Sequence, residues 1–422
     1  MNGRSVVTLA LLAMTLFAAE AANAQSQNLP APDQKGPYNV GTYTFSATMT
    51  GGRVTRVQVF YPTLAAVDPT SVYTINTPVG TYDIRSPLGA VHDAAVAPGP
   101  FPLVVFDHGG QPAGRDAHRI TELPLHETMA SHGIIIAVAP HSADAVVRTL
   151  DLKLMIDLFV TRATTGGDFF FQTIDPNRIG ISGFSTGGGA ALSLAGGWSA
   201  NGIGVDSRIK AMVVFEPRVN TLDDAPNVAI PYLVMGGLQY RNGLAVPALF
   251  EATTAAAPRI YVQSPRAAHF CYETGMQDET DQAREQALSS NPTMPDPLTT
   301  LNPSNAAAAR AYELWNFGQL QYLVLGQGVG GARNLCDRVG VNSIRSLDLD
   351  GDGYTDSPPF LLDDPPYMPA RPLRSDVMTP MIKLYTVAFW KVHLTGDHRY
   401  QRYLAPGYAQ RNDFEANVFV AE

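Results

Sequence analysis

The sequence predicts an α/β fold: a mostly parallel sheet with helices on both faces and a large insertion before the C-terminal helix. Three observations carry this. Two apolar runs, LVVF at 103–106 and IIIAV at 134–138, are continuous rather than alternating, as in strands buried on both faces. The segment between them, 117–132, can form the crossover helix that parallel neighbours need. Further strand and helix stretches then alternate along the chain, the pattern of a parallel sheet.

From the start, Arg4 precedes an apolar run over 6–19 and then Ala22-Asn23-Ala24. A charged start, a short apolar core and an A-x-A site read as a signal peptide (1–24) cleaved after Ala24, for a secreted or periplasmic protein. The run is short for a membrane span, and no other segment is long and uncharged enough. Processing removes Arg4 and Glu20, so the net charge of -9 is unchanged. Such a mildly acidic, weakly charged surface argues against nucleic acid as a partner. The core is expected to span 25–274 and 376–422.

Residues 25–37 form a polar, proline-bearing lead-in. Residues 43–49 and 53–61 alternate apolar and polar around Gly51-Gly52, an antiparallel hairpin at the sheet edge. A helix is expected over 150–162, and short buried strands over 178–182, 211–215, 232–235 and 260–263. Residues 275–375 break this rhythm. They are rich in Asn, Pro, Asp and Ala, carry one good helix (306–325), and read as an insertion. An amphipathic helix over 379–393 returns to the sheet.

The strand at 178–182 runs into Gly183-Phe184-Ser185-Thr186-Gly187, followed by Gly188, Gly189, Ala190 and Ala191. This is a G-x-S-x-G turn in strand-turn-helix context, which presents the serine hydroxyl above the sheet. Side chains at 183 and 187 would collide in so tight a turn, hence the glycines. Ser185 is the expected nucleophile. A serine hydroxyl needs a base within reach, and histidine suits the task. The order Ser, acid, His puts the base downstream, where His269, His393 and His398 stand. His269 follows the last buried strand, at the end of the sheet where the elbow opens, and is the expected base. His393 and His398 fall at or beyond the end of the C-terminal helix.

The usual place for the acid, after strand 232–235, reads Gly236-Gly237-Leu238-Gln239-Tyr240-Arg241 and holds no carboxylate. One strand earlier, Glu216 ends the run Val213-Val214-Phe215. Neighbouring strand tips lie ~5 Å apart, so Glu216 can still reach the far nitrogen of His269 and orient it. Asp223 and Asp224 are the alternatives, although they read more naturally as turn residues before Pro226. For the oxyanion hole, one N–H is expected from Thr186 and one from Asp107-His108-Gly109-Gly110-Gln111, with Gly110 favoured over Gly109. His108 is expected to hold its own turn.

Two further features lie outside this constellation. Cys271 and Cys336 are the only cysteines, and in an oxidising compartment they are expected to form one disulfide. Asp348, Asp350, Asp352 and Asp356 occupy positions 1, 3, 5 and 9 of a calcium-type loop, with Gly351 at position 6 and the Tyr354 carbonyl at position 7. Pro359 stands at position 12 instead of Glu, so Asp363 or Asp364 would complete the shell. The expected Ca²⁺ is structural; no cofactor is expected for catalysis.

The stretches PLVVFDHGG, SHGIIIAVAP, DPNRIGISGFSTGGG, AAHFC and FWKVHLTGDHRYQRYL resemble the α/β-hydrolase superfamily. The likeness is greatest to its secreted dienelactone-hydrolase-like branch, which includes platelet-activating-factor acetylhydrolases and cutinase-like polyesterases. It covers about 100–270 and 378–405. In the polyesterases a cysteine two places after the catalytic histidine is disulfide-bonded, and Cys271 matches it. The chain departs from the branch in lacking the usual acid near Tyr240 and in carrying the 275–375 insertion, which could roof the site. The resemblance implies a secreted serine esterase acting on small-molecule or polymeric esters through an acyl-enzyme. The alternatives are an acyltransferase and a non-catalytic, calcium-stabilised binding protein on the same scaffold.

Overall fold

The computed structural model describes residues 29–77, 80–109, 116–219, 222–237, 246–264, 267, 272, 375–413 and 416–421. A ten-stranded sheet organises them. Its strands are β1 (Asn39–Thr48), β2 (Val54–Thr63), β5 (Val91–His92), β6 (Phe101–Asp107), β7 (Ile135–Val138), β8 (Ile174–Phe184), β9 (Ile209–Phe215), β10 (Tyr232–Gly237), β11 (Arg259–Ser264) and β12 (Asn417–Ala421). Across the sheet they run β5-β1-β2-β7-β6-β8-β9-β10-β11-β12. The central strands from β7 to β11 are parallel; β2 joins β7, and β12 joins β11, antiparallel. A separate hairpin, β3 (Val72–Thr77) with β4 (Gly80–Arg85), lies outside this sheet.

The continuous apolar runs have the expected cause. In β6, Leu103 and Val105 face one core while Val104 and Phe106 face the other, and β9 divides Met212 and Val214 from Val213 and Phe215 in the same way. The first core is closed by helices α2 (Ala145–Thr164), α3 (Thr186–Gly196) and α4 (Val246–Ala252). The second is closed by α1 (Leu123–Ser131) and α5 (Ser375–His393). Helix α5 crosses β8 so closely that a Cβ on Gly180 would stand 2.7 Å from the Trp390 ring. The chain ends with α6 (Pro406–Asn412) and the edge strand β12, whose Phe419 stacks on Tyr261 at 5.7 Å. Among the described residues, no helix is long and apolar enough to cross a membrane.

Several elements exceed the sequence expectation. Helix α2 starts at Ala145, because Asp144 caps it by accepting the Val147 N–H at 2.9 Å. Helix α5 runs through Pro380 from Ser375, since burial of Met378, Met381 and Ile382 outweighs the single lost backbone bond. The β3–β4 hairpin, β5, β12, α4 and α6 were not foreseen; each is short, and its place is decided by packing on the sheet. The insertion and its expected helix at 306–325 lie outside the described residues, as does the expected signal peptide.

The extra hairpin is fastened by a buried acid. Glu127 of α1 accepts hydrogen bonds from Tyr73 Oη (2.8 Å), Ser86 Oγ (2.6 Å) and the Leu88 N–H (2.6 Å). Burial dominates over these three donors and pushes its pKa up to about 7. An acid raised in the folded state loses stability as pH climbs from its unfolded value, about 4.3, through 7. Glu127→Gln should therefore remove a pH-dependent loss of up to about 3 kcal/mol. Urea unfolding of both proteins at pH 4.5 and 7.5 checks it: the variant should gain relative to wild type only at the higher pH.

Candidate active site

Strand β8 ends in the centre of the sheet, and Ser185 follows directly with φ 52° and ψ -116°. Positive φ in a non-glycine residue is strained by about 1–3 kcal/mol and persists only where neighbours impose it. Here they do. The Ser185 N–H donates to the Phe215 carbonyl at 2.9 Å, and its own carbonyl accepts from Arg218 N–H at 2.7 Å and Gly189 N–H at 3.0 Å. The tip of β9 thus holds both peptide groups of the serine.

The glycines have the role that the sequence implied. A Cβ on Gly183 would lie 2.5 Å from the Gly187 carbonyl carbon, and one on Gly187 would lie 2.2 Å from the Asp107 carbonyl oxygen. Gly188 and Gly189 meet the backbone of Pro217 and Arg218 in the same manner, at 3.0 and 2.3 Å. The run of glycines lets α3 start in contact with two neighbouring loops.

Glu216 sits beside the serine in the sheet. Phe184 pairs with Phe215, so Ser185 and Glu216 leave adjacent strand tips. Glu216 is buried, has φ 39°, and donates its N–H to the Met235 carbonyl at 2.9 Å. Among the described residues only Asp93, Gln172, Ser185 and Glu216 combine a side chain with positive φ. Two of those four therefore meet at this one point. The Glu216 charge also reaches Tyr261 and Tyr272, whose hydroxyls are raised first by burial and then by that charge. Asp224, by contrast, accepts from the Ser199 N–H and Oγ at 3.0 and 3.1 Å, as a turn residue does.

His269 lies outside the described residues; Ala267 and Tyr272 on either side of it in sequence are both buried. The other downstream histidines stand elsewhere. His393 and His398 line a cavity with Pro258 and Ile260, at the start of β11, whereas Ser185 follows the carboxyl end of β8. His393 packs on Phe389 at 4.5 Å, and burial lowers its pKa to about 4. Neither is placed to serve Ser185.

On the oxyanion side, Thr186 is the first residue of α3, where helix geometry leaves the N–H without an internal acceptor. Gly109 packs against the elbow, its virtual Cβ 2.4 Å from the Phe184 ring and 3.2 Å from Ser185 Cβ. Gly110 lies outside the described residues. His108 does hold its turn. Its Nε2 accepts the His141 N–H at 3.0 Å, which leaves Nδ1 to donate to the Gly109 carbonyl at 2.6 Å. Burial, with neighbouring His118 and Arg148, keeps this ring neutral.

Beneath that loop is a buried charge network that the sequence reading missed. Arg148 Nη1 donates to Thr186 Oγ1, and Arg148 Nε faces Asp107 Oδ2 at 3.3 Å. His141 lies between Asp107 (3.8 Å) and Asp151 (3.6 Å), and Asp151 pairs with Arg53. Burial raises the Asp107 pKa, and Arg148 opposes that shift. These residues come from five separate segments. The available signals were Arg148 and Asp151 three apart on α2, and a carboxylate closing an apolar strand. Arg148 and Thr186 also border a cavity of about 290 Å³ that runs along α3 to Trp198 and Leu249.

Cys271, Cys336 and the acidic loop of Asp348, Asp350, Asp352, Tyr354 and Asp356 fall outside the described residues. Among the described residues no cluster of three or more His, Cys, Asp or Glu side chains could hold a metal ion.

No protein-family model matches the chain, and no curated protein matches it. Among solved structures it is similar to a ferulic acid esterase from Streptomyces cinnamoneus, at 19% identity and a TM-score of 0.52. The match covers 91% of this chain and 97% of that one. At this identity the likeness establishes a shared α/β fold.

The elbow geometry gives a direct expectation for stability. Gly187→Ala forces a methyl group onto the Asp107 carbonyl and should cost about 3 kcal/mol, at the upper end of overpacking. Gly204→Ala, at a surface glycine with open space around it, should stay within about 0.5 kcal/mol. Chemical unfolding of both variants makes the comparison.

Proposed function

We propose that the protein is a secreted serine esterase that cleaves carboxylic esters through an acyl-enzyme, with Ser185, His269 and Glu216 as its triad. The observation that carries the reading is the strained Ser185, clamped at the carboxyl end of β8 beside buried Glu216. Strain of this kind, shared by Ser185 and the adjacent Glu216 and imposed by the packing around them, is characteristic of a presented nucleophile. The solved neighbour is itself an esterase, in keeping with the reading.

In the proposed reaction Ser185 Oγ attacks the ester carbonyl carbon while His269 takes its proton. The oxyanion so formed accepts hydrogen bonds from the N–H groups of Thr186 and Gly110. Collapse breaks the bond to the alkoxy oxygen, and the alcohol leaves with the proton from His269. Water then attacks the acyl-enzyme, His269 again acting as base, and the carboxylic acid departs as Ser185 regains its proton. Glu216 holds the imidazole in the right tautomer and stabilises its charged form.

Ser185→Ala should abolish hydrolysis of p-nitrophenyl butyrate and all labelling by a fluorophosphonate. Glu216→Gln should keep the fold and lower kcat by about 10³–10⁴-fold. Persistent labelling at another serine would overturn the nucleophile; Asp223→Asn behaving as Glu216→Gln was expected to would move the acid. A series of acetate, butyrate, octanoate and methyl ferulate esters would then define the acyl group.

The Cys271–Cys336 disulfide and the calcium loop at 348–356 complete the proposal, together holding the insertion near His269. The disulfide closes a loop of about 65 residues, a constraint of about 4 kcal/mol in the chain-entropy model. Calcium stabilises by mass action, because the folded loop alone presents all its ligands. Melting curves should shift downward with EDTA, with reductant and in Cys336→Ser. An unchanged Tm under chelation removes the calcium site, and two titratable thiols in the native protein remove the disulfide.

A further inference from the structure

The oxyanion hole of the proposed reaction draws its two donors from separate segments, the start of α3 and the loop after β6. Hydrogen-bond donors stabilise a developing charge only when both are aimed at one point before the reaction begins. Something has to hold the two segments in register. Arg148, in the first turn of α2, belongs to neither and touches both.

Its side chain is 1% exposed. On one side Nη1 donates to Thr186 Oγ1; on the other Nε faces the Asp107 carboxylate at 3.3 Å. Asp107 ends β6 and leads into His108-Gly109, and its carbonyl oxygen is the atom against which Gly187 packs. Among the described residues neither Asp107 oxygen accepts a hydrogen bond, so Arg148 at 3.3 Å, with His141 farther off at 3.8 Å, is the main partner of this buried acid. We infer that Arg148 is a positioning residue: its guanidinium bridges the start of α3 and the end of β6, and holds the Thr186 oxyanion donor in register with the Asp107-His108-Gly109 stretch. The inference rests on the esterase reading.

A planar guanidinium is suited to this task. It holds a hydrogen-bond donor on Thr186 and a positive edge against Asp107 in one rigid plane, whereas a lysine ammonium is a point charge on a flexible stem. The bridge acts through Thr186 Oγ1, which takes no part in the reaction itself, so the side chain and the backbone donor of Thr186 can be separated by mutation.

The test uses the full chain with p-nitrophenyl butyrate as substrate. Arg148→Met and Thr186→Val should each lower kcat by about 10–100-fold with KM changed less than about threefold, since the loss is in transition-state stabilisation. Thr186→Ser restores the hydroxyl acceptor and should recover most of the loss seen in Thr186→Val. Arg148→Lys should fall between Arg148→Met and wild type. The double variant Arg148→Met/Thr186→Val should be no slower than the worse single variant, because both break one bridge. The pH of half-maximal kcat/KM should not move, because the His269–Glu216 pair is untouched.

The inference is overturned if Thr186→Val keeps kcat within twofold of wild type, if Thr186→Ser is no better than Thr186→Val, or if the two losses multiply. Should Arg148→Met fail to fold, the Thr186 pair decides alone, since it removes only the acceptor of the bridge. A wild-type protein that turns over no ester, or a Ser185→Ala variant as active as wild type, overturns the esterase reading itself. A wild type inactivated by Ser185→Ala, with Thr186→Val unaffected, overturns only the role of Arg148.

Discussion

Everything at this site depends on how closely three stretches of backbone approach at the end of β8. Ser185 keeps its positive φ because Phe215 and Arg218, at the tip of β9, hold its two peptide groups. That clamp forms only if α3 starts hard against the neighbouring loops, which in turn demands glycine at 183, 187 and 189. The strain of the serine, the position of Glu216 and the start of α3 are thus one packing problem with one solution. Side-chain volume, rather than any single strong bond, sets it.

The two ends of the sheet have been put to different uses. Across one face α5 lays Trp390 over Gly180 in mid-strand, and at the amino end His393 sits against Phe389 in a cavity with Pro258. These are contacts of a core. At the carboxyl end the polar residues collect: Asp107, His108, His141, Ser185 and Glu216 are all buried there. Burying so many polar groups is unfavourable unless they partner one another. The ion pairs of Arg148 with Asp107 and of Arg53 with Asp151, and the hydrogen bonds of His108, supply part of that partnership. A stable fold would be simpler with apolar residues at these places, so the network points to a demand for orientation.

Much of the architecture was legible because it follows from periodicity. A strand covered on both faces cannot alternate, and LVVF and IIIAV told of a parallel sheet for that reason. The elbow was legible because steric exclusion leaves glycine as the sole residue at two positions around the serine. Edge elements such as β12 and the β3–β4 hairpin were not, since a five- or six-residue strand gains most of its stability from what it docks on. Helix α2 starts five residues before the expected 150 because its start is set by the Asp144 cap and not by the apolar face.

The sequence by itself determined the sheet class, the serine at the turn, and the short list of partners that chemistry allows it. These are local matters, written in the spacing of apolar residues and in glycines that no other residue can replace. Only the tertiary structure decided which of them meet. It set Glu216 next to Ser185 through strand register, sent His393 and His398 to the far end of the sheet, and gathered Arg148, Asp107, His141 and Asp151 from distant segments into one buried cluster. The physical reason is that charge–charge and hydrogen-bond partners are chosen by proximity in space. Proximity across a sheet depends on strand order, which no local pattern of residues encodes.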